Sequence, residues 1–588
     1  MNARTLACLA LLSPTICAQE NRDDLTPLEI SYVTTVKEDL SGYRIEMVVD
    51  HVNRPTIHVA MPDWSPGAYR IGTYGKGVQN FRATGSEDVE LDVLRMDPGS
   101  WSIRTDGHEH IHVSYEVSAS SRRSRRREDA PKVTGLRLSG PRTYVYLRGA
   151  DVRNIRSRYV LPDGWRVANG LLPTSDPNVR LAKDYDTFID APSTLGEFIE
   201  RDFEVNGTPF RCVFFENSQE YDFNVDAFVE IVRKIVVNQG ELYGSYPFPN
   251  YVFLFHLPGG GGLEHLNSTT IGLRSGSQRD DPSAGASVTS HEFFHTWNVK
   301  RIRPKALGPF DYDRENYTGN LWVSEGWTSY MGDLTLARTE VWSREKYLSH
   351  LQRIITSELN KERRAEHSVF WASRNAWHRF NNEEGSRVDY YDKGEILGAL
   401  IDLKIRHETG GRKSLNDVMR FLNRWFAEEN VGFEEGDIER ACTSISNYDF
   451  SEFFARHVYG TLDPPLAEIL SYAGIGYESE VIPCSFPFTV RGKRVFVRRG
   501  EEPSDEDAPR RGDSIVSIDG EAFEDADTVL KLHKPGDTVR VELERDDEKR
   551  EVDVVLTERT RMTLKLSYME DATPEQIALR ERWLTSVD

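Results

Sequence analysis

"SVTSHEFFHTWNVKRIRP", residues 287–304, sets two histidines and a glutamate within five residues of an otherwise apolar and aromatic run. In a helix, residues four apart share one face about a turn apart, so His291 and His295 can reach one ion. Glu292 is turned by roughly 100° from His291, off the metal but within reach of a water bound to it. A hydrolytic zinc site needs a third protein ligand and one open position. Glu325 is the candidate, because "LWVSEGWTSY" (321–330) sets it among Trp322, Val323, Trp327 and Tyr330 on the next predicted helix. A carboxylate there is costly to bury without a partner cation, and zinc would be that cation. The serine before it and the glycine after it suggest two helices in close approach. The plain alternative is a helix whose histidines only hydrogen-bond in the core, with an ordinary surface glutamate downstream.

Outward from this stretch the texture changes twice. The chain has 588 residues, more than one hydrophobic core serves, so several domains are expected. Residues 25–205 alternate like strands: in "YRIEMVVD" Tyr43, Ile45, Met47 and Val49 share a face, and in "IHVSYEVSA" so do Ile111, Val113, Tyr115 and Val117. Helical spacing dominates 206–478, as in "DFNVDAFVEIVRKIVVNQGELYG" and "KGEILGALIDLKIRHETGG", the latter ending on a glycine stop. Residues 480–560 form a small mixed module around "GDSIVSIDG", and 561–588 read as a helical tail packing back through Trp583. The fold class is therefore multidomain α+β, with a β-rich domain, a mostly helical domain carrying the metal motif, and a compact terminal module.

Composition narrows the function. Apolar residues at 38% and aromatics at 11% fit a folded chain, and a net charge of −21 argues against a nucleic-acid binder working through phosphates. The basic cluster "SRRSRRRED" (121–129) reads as a solvated loop. "MNARTLACLALLSPTICAQE" has the layout of a secretory signal peptide over residues 1–18, which predicts export to a periplasm or the exterior. No later segment is long and apolar enough to span a bilayer. Cys212, Cys442 and Cys484 lie too far apart for a disulfide framework or a thiolate zinc site.

Several ordered stretches resemble the glycyl aminopeptidases, the sixty-first family of metallopeptidases, relatives of thermolysin and the large aminopeptidases. These are "MPDWSPGAYRIGTYGKGVQNF" (61–81), "GGGGLEH" (259–265), the zinc helix itself, "SEGWTSY" and "YYDKGEILGALIDLKIR" (390–406). The resemblance implies a thermolysin-like catalytic domain, with Glu325 as third zinc ligand. It also implies that Glu264, with Gly261 and Gly262 on the same strand, binds the free α-amino end of a peptide, and that Tyr391 donates to the oxyanion. Tyr390 is the rival for that last role. The terminal module resembles a bacterial PDZ domain through "RRGDSIVSIDG". Its carboxylate-binding turn falls at "CSFPFTV" (484–490), where Pro487 has no N–H to offer, and the insertion "EEPSDEDAPRRGD" beside it is acidic. Peptide binding and internal packing both remain open for it.

The expected activity is that of a zinc aminopeptidase, acting on peptides with a free N-terminus and preferring glycine or alanine first. Glu292 would be general base to an attacking zinc-bound water. Two alternatives stand: an endopeptidase on the same site, and an inactive, zinc-stabilised protein-binding scaffold.

Overall fold

The three-dimensional structure is a computed structural model that describes residues 28–119, 133–216, 223–361, 364–379, 389–497, 508–546 and 548–587. The signal-like start, the basic cluster at 121–129 and residues 501–507 of the acidic insertion lie outside the described residues.

The N-terminal part is built on a seven-stranded sheet whose centre joins Glu29–Val36 to Gly42–Asp50 and Ile111–Ser118. Tyr43, Ile45, Met47 and Val49 all point into the core, as do Ile111, Val113, Tyr115 and Val117. The alternation seen in sequence is thus the one-sided burial of antiparallel neighbours, in a sheet where Glu29–Val36 also pairs in parallel with Arg153–Val160. Smaller sheets of four and three strands pack with it. Between the strand Thr56–Ala60 and the strand Gln79–Thr84 the chain leaves the sheet almost entirely. That excursion carries Trp64, fully buried, whose Nε1–H donates to the Asp311 carbonyl at 2.8 Å. An N-terminal loop is thereby pinned to the helical part of the molecule.

A five-stranded sheet opens the helical part: β1 (Ile199–Val205), β2 (Thr208–Glu216), β3 (Tyr251–Leu257), β4 (Gly262–Glu264) and β5 (Ser268–Gly272), in the order β1-β2-β3-β5-β4. Strands β2, β3 and β5 run parallel, and β3 is buried along its whole length, as a strand covered on both faces must be. Strand β4 is antiparallel and lies at the edge. Because β1 pairs with β2, residues 199–205 belong to this sheet, and the expected boundary at 205/206 falls a strand too late. A switch in pairing partner leaves no mark in alternation, which is why the sequence placed it there.

The helices that matter for the site are α1 (Val225–Tyr243), α2 (Ala286–Phe294), α3 (Thr328–Arg338), α4 (Arg344–Leu359) and α5 (Asp392–Glu408). Asn224 caps α1 by accepting from the Ala227 amide, and Gly244 ends it at φ 75. Its Gln239 donates to the Ser290 carbonyl at 2.9 Å and so fixes α2 laterally. A π-helical turn, Trp322–Trp327, leads into α3. That turn packs backbone to backbone on α5: a Cβ on Gly326 would stand 2.4 Å from the Gly394 Cα, and one on Gly394 2.4 Å from the Trp322 carbonyl oxygen. Only glycines allow this approach.

The terminal module hangs on a two-stranded ribbon, β6 (Ile475–Ser485) with β7 (Thr557–Tyr568). The ribbon crosses the expected boundaries at 478/480 and 560/561, and residues 561–568 are strand, with the tail helix α6 starting only at Pro574 (Pro574–Thr585). Gln352 of α4 and Asn360, which caps its C-terminal end, hydrogen-bond the β7 backbone at 2.7–2.9 Å. Ser485, Phe486, Phe488 and Val490 line a cavity of about 880 Å³ that faces Arg353 of α4. Trp583 is buried and donates its Nε1–H to Tyr330 Oη at 2.7 Å, so the tail closes on the helical core.

Candidate metal centre

His291 and His295 stand one turn apart at the end of α2, their Nε2 atoms 3.0 Å from each other. Glu325, on the π-helical turn, brings Oε2 to 3.3 Å from His295 Nε2 and 3.6 Å from His291 Nε2. A tetrahedral zinc with bonds of about 2.0–2.1 Å separates its ligand atoms by about 3.3–3.4 Å. The three donors therefore already sit at the edge lengths of such a polyhedron. Glu325 is 2% exposed, in keeping with the burial argument from its aromatic neighbours.

The outer contacts orient the donors. His295 Nδ1 lies 2.7 Å from the Asn298 carbonyl, so the ring carries its proton there and turns the Nε2 lone pair inward. His291 Nδ1 is 3.1 Å from Ser329 Oγ. Asn298 in turn donates to the Val323 carbonyl at 2.8 Å, a backbone acceptor within the π-helical turn. Tyr69, from the N-terminal loop, donates its hydroxyl to Glu325 Oε1 at 3.2 Å.

Without a metal, His295 and Glu325 form an ion pair. Burial alone would depress His295, but the Glu325 carboxylate outweighs it and carries the imidazole up to about 9. Burial would raise Glu325, yet His295 and His291 together hold it well below the usual carboxylate range. His291 is pushed down, first by burial and then by the charge on His295. Glu292 is pushed well up by burial, with Glu264 and Glu325 adding to the rise and His295 opposing it. A base held in that direction suits a proton acceptor working near neutrality.

Glu264, Glu292 and His295 place one ligating atom each within 4.8 Å of one another. Glu292 Oε2 is buried and bonded to no protein group among the described residues. The edge strand β4 runs directly over this carboxylate: a Cβ on Gly262 would lie 2.3 Å from Glu292 Oε1. Gly261 holds φ 74 at the turn into β4. Tyr391 stands with its ring 6.1 Å from that of His291, and Tyr390 stacks behind it at 4.9 Å, so the nearer ring is that of Tyr391. His265 is occupied otherwise: its Nδ1 is 3.0 Å from Asp190 Oδ1, and Lys300 Nζ reaches Asp190 Oδ2 at 2.7 Å, a buried network between the two domains.

Sequence reasoning missed two features. Tyr69 and Gly67 lie within the quoted 61–81 stretch, but no local spacing marks them as site residues. The second is a cluster of Asp333, His350 and Glu395 beside α2, with His350 Nε2 at 3.0 and 2.8 Å from the two carboxylates. Arg353 can only donate, and its Nη2 sits 2.9 Å from His350 Nδ1, which must accept. The imidazole proton is then on Nε2, between the carboxylates, where a metal would need a lone pair. Proton placement thus favours a polar network at this cluster.

A site of this build belongs to a metallopeptidase. The Peptidase M61 N-terminal domain model matches residues 33–197, the M61 glycyl aminopeptidase model residues 285–397, and a PDZ domain model residues 488–556. The chain thus matches the N-terminal and catalytic models of the M61 glycyl aminopeptidases in order along its length. An aminopeptidase N family protein from Idiomarina loihiensis superposes with a TM-score of 0.77 at 22% identity, covering 95% of this chain and 100% of that one, and so shares the fold. An M1 zinc metallopeptidase from Deinococcus radiodurans aligns over 75% of this chain and 95% of its own, at 11% identity and a TM-score of 0.45. No curated protein matches the sequence.

Proposed function

We propose that this metallopeptidase is a zinc-dependent aminopeptidase that removes the first residue of peptides, with glycine or alanine preferred. The observation that carries this is the spacing of three donors at tetrahedral distances with the Glu292 and Glu264 carboxylates beside them. His291, His295 and Glu325 would hold the ion, which when bound supplies a Lewis acid that polarises the scissile carbonyl and acidifies the attacking water.

The remaining work falls to the chain. Glu292, buried and pushed up, takes the proton of the attacking water and delivers it to the leaving amine. Tyr391, kept protonated by burial and by the Glu325 charge, donates to the developing oxyanion. Strand β4, an antiparallel edge, offers its backbone to an extended substrate. Glu264 at its end binds the α-ammonium group and counts one residue from the N-terminus. The preference for a small first side chain rests on the match to the glycyl aminopeptidase model. The signal-like start supports export.

The test compares glycyl peptides with free and acetylated N-termini, using wild type and Glu292→Gln. Free peptide alone should be cleaved, and Glu292→Gln should keep zinc while losing turnover. Equal cleavage of the acetylated peptide would favour an endopeptidase, and unchanged turnover in Glu292→Gln would refute the assigned base.

A further inference from the structure

Tyr69 and Glu325 are 256 residues apart in sequence and come from different domains, yet the phenol hydroxyl bonds Glu325 Oε1 at 3.2 Å. The other carboxylate oxygen, Oε2, is the one that faces both imidazoles. The two oxygens of the third ligand are thus assigned separate tasks.

The loop that delivers Tyr69 is built for this contact. Tyr69 holds φ 43 and Thr73 φ 44, a left-handed conformation that bulky and β-branched residues seldom adopt. Backbone outliers of this kind persist where surroundings impose them, and they gather at functional sites. Here the surroundings are visible. The Tyr69 ring is buried edge-on against Trp377 at 6.1 Å, and Trp64 packs edge-on against the same indole at 5.0 Å. Two residues before Tyr69, the Gly67 backbone lies on the Glu264 carboxylate. One short N-terminal stretch therefore touches both the third donor and the acid beside the catalytic base.

We propose that Tyr69 is a positioning residue, supplied by the N-terminal domain, which restrains Glu325 through Oε1 so that Oε2 alone is presented to the metal. This rests on the reading of His291, His295 and Glu325 as the metal ligands. Partners of this kind tune a metal site by fixing ligand rotation, and their loss commonly weakens metal binding 10- to 100-fold. On this account the N-terminal domain completes the metal centre and is more than a neighbouring module.

The test uses the full chain with Tyr69→Phe, which removes one oxygen and keeps the ring. The zinc dissociation constant is measured by competition with a chromophoric chelator, and the visible absorption of the cobalt-substituted protein reports donor geometry. The expected result is a dissociation constant about 10- to 100-fold weaker and a shifted cobalt spectrum, with the metal-free melting temperature lowered by only a few degrees. Trp377→Phe loosens the seat of the ring but keeps the hydroxyl, and should weaken zinc binding clearly less than Tyr69→Phe does. Wild-type affinity and an unaltered cobalt spectrum in Tyr69→Phe would overturn the proposal. So would equal weakening in Trp377→Phe, which would assign the effect to packing. Wild-type protein that fails to take up zinc at these ligands would remove the metal reading as well, an outcome distinct from bound zinc indifferent to Tyr69.

Discussion

Replacing Gly262 by alanine should disable the base while leaving the metal and the fold in place. The new Cβ would lie 2.3 Å from Glu292 Oε1, 2.4 Å from its Cγ and 2.5 Å from its Cδ, where ordinary contact starts near 3.4 Å. The carboxylate must therefore retreat by about 1 Å, because β4 is held to β5 by backbone pairing and cannot swing away. A misplacement of about 1 Å in a reacting group costs on the order of 100-fold in rate, or about 2.7 kcal/mol of barrier. Gly262 does not use a left-handed backbone conformation, so alanine adds no backbone strain there, and the fold bears only the crowding of the carboxylate, about 1–3 kcal/mol. Zinc content by atomic emission and kcat/KM on a glycyl chromogenic substrate decide the matter. Full zinc with kcat/KM within about threefold of wild type would show that Glu292 has room to spare or is not the base.

Glu264→Gln should remove a charge-assisted contact worth about 1.5–3 kcal/mol, lowering kcat/KM on free glycyl peptides by about 10- to 100-fold and erasing the preference over acetylated ones. An intact preference would place the amine elsewhere. Lys300→Met would leave Asp190 charged and buried without its 2.7 Å partner, and should cost about 3–5 kcal/mol in denaturant unfolding; a loss below about 1 kcal/mol would show the network to be hydrated. Zinc uptake should be pH-dependent with a definite sign. His295 lies near 9 without metal, so below that pH its proton must leave for zinc to bind. Affinity should climb from pH 6 to about 9 and flatten above, and calorimetry in buffers of different ionisation enthalpy should show about one proton released per ion at pH 7. Affinity independent of pH would contradict the His295–Glu325 ion pair.

The convergence of His291, His295 and Glu325 was legible because its parts are local. The i, i+4 histidines need only one helix, and Glu325 betrayed itself by an acid among Trp322, Trp327 and Tyr330. The glycine after it also foretold the contact that Gly326 makes with Gly394. The strand alternation of the N-terminal sheet was readable for the same reason, one buried face with period two. What sequence withheld were relations across long separations. The hydroxyl of Tyr69 meets Glu325 only once two domains have docked, and Asp190 finds Lys300 and His265 in the same way. Likewise β1 joins the sheet of the strands that follow it, and the β6–β7 ribbon joins segments about eighty residues apart, without any change in local pattern.

The most direct measurement is anomalous diffraction at the zinc edge from crystals grown with stoichiometric zinc. The expected result is one strong peak about 2.0–2.2 Å from His291 Nε2, His295 Nε2 and Glu325 Oε2. A peak bound instead by Asp333, His350 and Glu395, or none within reach of the two α2 histidines, would contradict it.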